Sequence, residues 1–181
     1  MKKVIVVVAI LILSSCKSMI DSDTVVKGNI NETINNWHKA AATANYGAYF
    51  ELMADDAIFI GTDATENWNK KAFQDYAKPH FDKGKAWSFT TLERNVFIDK
   101  SGEIAWFDEL LNTQMKICRG SGVLIKINKQ WKIKHYVLSM TIPNDNSGEA
   151  IKIKQSDDLL IKKNTDQTIV LLITFRKKNF S

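Results

Sequence analysis

Cysteine, proline and glycine are all scarce in this chain of 181 residues, at two, two and eight. Two Cys exclude a disulfide-stapled mini-fold and a Cys-rich zinc module. So few Pro and Gly exclude a collagen-like helix and Pro/Gly-rich disorder. No apolar run reaches the roughly 20 residues of a membrane-spanning helix. A strong charge of one sign is missing too. The chain has 25 Lys and Arg against 20 Asp and Glu, a net +5 that is too small to demand an acidic partner. What is present, 45% apolar and 25% charged residues, is the ordinary balance of one globular domain with appendages.

The first sixteen residues read as an address. Lys2 and Lys3 precede ten unbroken apolar residues, 4–13, followed by Ser14, Ser15 and Cys16. A short basic region, a short apolar stretch and small residues make a secretory signal. Ten residues rise about 15 Å as a helix, half of the ~30 Å hydrocarbon core. Leu13-Ser14-Ser15-Cys16 also resembles the lipobox of bacterial lipoproteins. That resemblance implies that Cys16 is diacylated on sulfur and becomes the mature N-terminus. The expected location is then the bacterial cell envelope, facing the periplasm, with the membrane held through Cys16. Without Lys2 and Lys3 the charge balance falls to 23 against 20. Nucleic acid is not an expected partner of an exported chain, and Arg176-Lys177-Lys178 reads as a solvated tail. Cys118 is left without an intramolecular partner and reads as a small core residue.

The expected layout is a signal over 1–15, a polar tether over 16–28, a domain over 29–143 and an extension over 144–181. Ile30, Ile34, Trp37, Ala41 and Ala44 recur at helical spacing, with Asn29 or Asn31 as cap. Tyr49 to Met53 suggest a second short helix, and 57–60 a short strand ending at Gly61. Residues 62–67 read as a polar loop. Asn69 can cap a third helix carrying Phe73, Tyr76 and Ala77. Four long strands follow, over 87–98, 103–115, 120–127 and 131–142, with a turn at 99–102 and a compact loop at 128–130. Helices first and a meander after give α+β: an antiparallel sheet with one face covered by helices. In the extension, 149–163 is a candidate helix. The run 169–173 is an edge strand, a docked tail or an aggregation-prone end.

Strand parity proposes a pocket. With a three-residue loop, Ile127 faces Trp131, Ile125 faces Ile133, Val123 faces His135, Ser121 faces Val137 and Arg119 faces Ser139. Lysines at 126, 132 and 134 mark the other side as solvent. The face of Trp131 and Ile133 would then run inward into His135, Ser121, Arg119 and Ser139. An apolar core grading into a few polar groups is the composition of a ligand site. In the earlier hairpin Arg94 falls near Asp108, a charge pair among apolar neighbours. No His or Cys pair has metal-ligand spacing, no glycine loop suits a phosphate, and no cofactor is implied.

Four segments carry a resemblance to SnoaL-like domains of the nuclear transport factor 2-like superfamily. They are Trp37-His38-Lys39-Ala40-Ala41, Ala57-Ile58-Phe59-Ile60-Gly61-Thr62, Arg119-Gly120-Ser121-Gly122-Val123-Leu124 and the stretch from Trp131 through His135 to Ser139. The resemblance covers about 29–143. It implies a cone-shaped, cystatin-like α+β fold whose curved antiparallel sheet wraps around the N-terminal helices and a pocket. Relatives often carry a second polar residue two positions after the one matching His135; here that position is Val137.

Three functional readings follow. In the first, the pocket binds a small, partly apolar molecule. Trp68, Trp87, Trp106, Phe59 and Phe107 supply apolar surface, and Arg119 favours an anionic or carbonyl group. In the second, the chain is an isomerase-, cyclase- or dehydratase-like enzyme. His135 with Asp108 or Asp63 is the general base, and Arg119 stabilises an oxyanion. In the third, it is a non-catalytic module that forms a homodimer through an outer stripe of Tyr136, Leu138 and Met140.

Overall fold

The computed structural model of the protein describes residues 22–155. Cys16 with its signal, the run 169–173 and the later part of the candidate helix at 149–163 lie outside the described residues. The chain divides into two units at Met140 and Thr141. In the second unit a 3-10 turn, Asn144–Asn146, leads into a helix over 147–155, as far as it is described.

The first unit opens with α1 (Ser22–Ala42) and the short α2 (Tyr46–Glu51). A strand pair, β1 (Met53–Ile60) and β2 (Asn67–Asn69), leads into α3 (Lys70–Asp82). The meander is β3 (Thr90–Ile98), β4 (Ile104–Thr113), β5 (Lys116–Ile127) and β6 (Gln130–Met140). All six strands form one sheet in the order β2-β1-β6-β5-β4-β3. The α+β class is as expected, but the sheet is mixed, because β1 runs parallel to β6. A parallel pair needs a long crossover, and here α3 and the whole meander supply it.

Local chemistry accounts for most element ends. Ile30, Ile34, Trp37 and Ala41 form the buried face of α1. That helix starts at Ser22, well before Asn29. Asn31 is therefore no cap; its amide nitrogen donates to the Lys27 carbonyl one turn back. Asn45 caps α2 and Asn69 caps α3, each side-chain oxygen accepting a backbone N–H three residues on. Cys118 is a fully buried free thiol.

Two registers depart from simple parity. The β5–β6 connection is a two-residue turn, with Asn128 and Lys129 both at positive φ (50° and 66°). Ile127 thus pairs with Gln130, and Lys126 with Trp131. Further along, Leu124 pairs with Ile133 but Val123 with His135, so Lys134 is an extra residue, a β-bulge. Beyond it the pairs Val123–His135, Ser121–Val137 and Arg119–Ser139 match the sequence expectation, but they face the other way. In the β3–β4 hairpin, Asp99 Oδ1 accepts the Ile104 N–H at 3.1 Å, and pairing begins with Ile98 opposite Ala105. Arg94 therefore pairs with Glu109, not Asp108.

Candidate functional site

The inner face of the sheet carries one buried ionic cluster. Glu109 on β4 is 1% exposed. Its Oε1 accepts from His38 Nε2 of α1 at 2.8 Å and from the Tyr136 hydroxyl of β6 at 3.0 Å. Its Oε2 accepts from Arg94 Nε of β3 at 2.9 Å, with Arg94 Nη2 at ion-pair distance, 2.8 Å, from the same oxygen. The remaining Arg94 donors go to Asn31 and Asn35 on α1 and to Thr91. A buried charge persists only when paired and hydrogen-bonded, and this one is bonded on both oxygens. Burial alone would raise the Glu109 carboxyl, but His38 and Arg94 outweigh it and hold it below the ordinary glutamate value. Burial, and after it the Glu109 carboxylate, push the Tyr136 phenol well above its ordinary value. With every strong acceptor position of Glu109 filled, the cluster ties α1 to three strands rather than offering a free base.

Gly120 makes that junction fit. A Cβ there would lie 2.3 Å from the Tyr136 hydroxyl oxygen and 3.0 Å from Glu109 Cγ. Gly122 does the same for Phe107, whose ring would sit 2.7 Å from an added Cβ. The two glycines of Arg119-Gly120-Ser121-Gly122 therefore clear space on the inner face.

Beside the cluster lies an aromatic pocket of about 160 Å³. Its rings are Phe59, Trp68, Phe73, Tyr76, Trp87 and Phe89, from β1, β2, α3 and the segment that leads to β3. Gln114, Met115 and Leu138 close it from the β4–β5 turn and β6. Phe59 stacks on Phe73 at 4.0 Å, and Trp68 on Tyr76 at 4.4 Å. His38 meets Phe89 edge-on at 5.6 Å, so cluster and pocket share a wall. A larger groove of about 700 Å³ runs along α1 and the β5–β6 turn. Two of its four lysines are engaged: Lys132 donates to the Glu51 carbonyl, and Lys126 to that of Gly102. The aromatic pocket, lined mostly by rings with a few polar groups, has the composition of a small-ligand site.

Of the residues proposed from sequence, Arg94 lies in the cluster and Trp68 in the pocket. Trp106, Asp108, Arg119, Ser121, His135 and Ser139 do come together, but on the outer face. The rows across β4, β5 and β6 are Trp106–Val123–His135, Asp108–Ser121–Val137 and Leu110–Arg119–Ser139. Arg119, Ser121 and Ser139 are exposed there, so the expected inward polar face is corrected. For β5 the cause is the two-residue turn, which sets Lys126 rather than Ile127 opposite Trp131, and for β6 it is the bulge at Lys134. The acid–base pairing is corrected too. His135 and Asp108 are separated by β5, about 10 Å at ordinary strand spacing. Asp63 sits exposed in the β1–β2 loop, where hydrogen bonds from Thr65 hold its carboxyl below the ordinary aspartate value. Tyr136 and Leu138, expected on an outer stripe, are buried at 0% and 5% exposure.

The cluster left two signals in the sequence. His38 is four residues after Ile34, on the apolar face of α1. Glu109 falls between Phe107 and Leu111 in a clean alternation of buried residues. The one-residue shift in hairpin register hid its pairing with Arg94. Among the described residues no group of His, Cys, Asp and Glu is arranged to hold a metal.

A family model described as SnoaL-like domain matches residues 30–143. Among solved structures, an NTF2-like protein of unknown function from Pseudomonas putida KT2440 is similar with a TM-score of 0.58 and 15% identity, over 68% of this chain and 92% of that one. A Mycobacterium tuberculosis protein of unknown function is similar with a TM-score of 0.59 and 16% identity, over 72% and 80% of the two chains. The association domain of C. elegans CaMKII is similar with a TM-score of 0.56 and 18% identity, over 66% and 99%. At such identities the likeness is one of fold. No curated protein matches the chain.

Proposed function

Since this chain belongs to the SnoaL-like domain family, we propose that it binds a small, largely apolar molecule in the aromatic pocket, as an exported domain held to a membrane through acylated Cys16. The observation that carries the reading is the pocket itself: six aromatic rings around about 160 Å³, opening beside a rigid ionic cluster. Concave, mostly apolar sites with a few polar groups are where small ligands bind. The fold alone would not give this, because one fold hosts many functions. An enzyme reading draws less support, because both Glu109 oxygens are engaged and, among the described residues, no carboxylate forms a hydrogen bond or ion pair with His135. The anchoring half rests on residues 2–16 of the sequence.

The pocket is tested by thermal shift of the purified protein against small neutral fragments, with Met115→Trp as a variant that fills the cavity. Fragments that stabilise the wild type should lose their effect in the variant. Stabilisation of equal size in both proteins would defeat the pocket as the binding site.

A second reading has its own observation. On the outer face Phe97 and Trp106 stack at 5.7 Å, with 43% and 46% of their surfaces exposed. Paired exposed aromatics resemble the core of a protein interface. Self-association of two copies through β3, β4 and β5 is the assembly that this face would support.

A further inference from the structure

We propose that the aromatic pocket selects small organic cations, with an ammonium group seated against the rings beside Glu66. This rests on the pocket reading above and adds the sign of the ligand's charge. Of the twelve residues that line the cavity, only Glu66 carries a charge. The rest are the six aromatic residues with Gly61, Thr62, Gln114, Met115 and Leu138.

The Glu66 carboxylate has no cationic partner among the described residues. Its one hydrogen bond is from the Asp63 N–H to Oε2, at 3.2 Å. The loop that carries it is fastened at several points. The Gly61 N–H donates to the Glu66 carbonyl at 2.9 Å. Asp63 Oδ1 accepts from the Thr65 N–H at 2.8 Å and its hydroxyl at 2.6 Å. A Cβ at position 61 would lie 2.1 Å from Glu66 Oε2, so the glycine lets the carboxylate fold against the strand end. Its field reaches the cavity wall. Burial first, and then Glu66, raise the Tyr76 phenol above its ordinary value.

Aromatic faces are electron-rich and attract cations within about 6 Å of a ring centroid. Rings and a fixed carboxylate act in the same sense on an ammonium group, and both repel an anion. The guanidinium that could have favoured an anion is elsewhere, Arg119 outside and Arg94 bonded to Glu109. The cavity, about 160 Å³, is below the roughly 300–1,000 Å³ of drug-sized sites, so the ligand is of choline size.

The experiment is calorimetric titration of the purified protein with choline and with 3,3-dimethylbutan-1-ol, its neutral isostere. Choline should bind at least about tenfold more tightly than the alcohol. Glu66→Gln should reduce that preference at least about threefold, leaving the part that the rings supply, and leave the alcohol unchanged. If the alcohol binds the wild type as well as choline does, charge selection is wrong and the pocket reading stands. If Glu66→Gln keeps the full preference, the carboxylate is not its source, and the proposal also falls. If neither compound binds, the proposal and the pocket reading fall together. A melting curve of the variant, with Glu66 partly exposed on its loop, confirms that the fold is retained.

Discussion

Ile133 and Tyr136 stand three residues apart on β6, yet both side chains are fully buried on one face of the sheet. A regular strand forbids this, because its side chains alternate. Lys134 is the residue that breaks the alternation, opposite no single partner on β5. It forms an ion pair with Asp56 on β1, where the pairing with β6 also shifts. That one extra residue turns Tyr136 inward to Glu109 and sends His135 and Ser139 outward.

The Glu109 cluster predicts acid sensitivity. Its carboxyl is held below its ordinary value of 4.5. A group with a depressed folded pKa adds stability that is complete above the unfolded value and lost as pH falls through the folded one. The melting temperature should therefore fall as pH drops below about 4.5. Glu109→Gln leaves Arg94 without its anion and should cost about 3–5 kcal/mol near neutrality. Its acid limb should be shallower than that of the wild type, the remainder coming from exposed Asp56, Asp63 and Asp99, whose carboxyls are also lowered. An acid limb of undiminished steepness in the variant would remove Glu109 as its cause.

Gly120 predicts a coupling across the sheet. Gly120→Ala should destabilise by about 1–3 kcal/mol through overpacking against the Tyr136 hydroxyl. In a Tyr136→Phe background the same substitution should cost less, because the oxygen it strikes is gone. Denaturant titration of the four proteins gives the coupling energy. Equal costs in both backgrounds would mean that the hydroxyl is not what position 120 accommodates.

The outer face predicts an oligomer. If Phe97 and Trp106 form the centre of a homodimer, Trp106→Glu should weaken association by about thirtyfold or more. Analytical ultracentrifugation reads this directly. A wild-type domain that stays monomeric at high micromolar concentration would end the assembly reading.

Cys16 predicts lipid labelling. Metabolic labelling with a fatty-acid analogue should mark the wild-type protein and leave Cys16→Ala unmarked. Two acyl chains, at about 0.8 kcal/mol per buried methylene, would hold the domain in the membrane fraction. Equal labelling of both proteins would sink the anchor.

Much of the fold was legible locally. The spacing of Ile30, Ile34, Trp37 and Ala41 specifies the buried face of α1 wherever the helix docks. Asn69 marks the start of α3 through one side-chain hydrogen bond to a residue three positions away. Alternation along β4 puts Ala105, Phe107 and Leu111 on one face, but Ile104, Trp106 and Leu110 make the other face apolar too, and only the fold buries the first. Such signals involve neighbours in the chain, so the chain order contains them.

The site was legible only in parts. Arg94 next to a carboxylate, and Trp68 among aromatics, followed from parity and composition. The partner of Arg94 did not, because the Asp99 side chain sets the hairpin register through an N–H five residues away. Arg119, Ser121, His135 and Ser139 were expected on one inward face, and they lie on the outer one.

The amino-acid order by itself determined which residues alternate, where helices are capped and which strands follow one another. The tertiary structure decided which face of the β5–β6 hairpin turns inward. A bulge has no composition signature, since Lys134 is extra only relative to the strands on both sides of it. Burial of Tyr136 at Glu109, across the space left by Gly120, needs α1, β3, β4 and β6 together, and no segment read alone contains that contact.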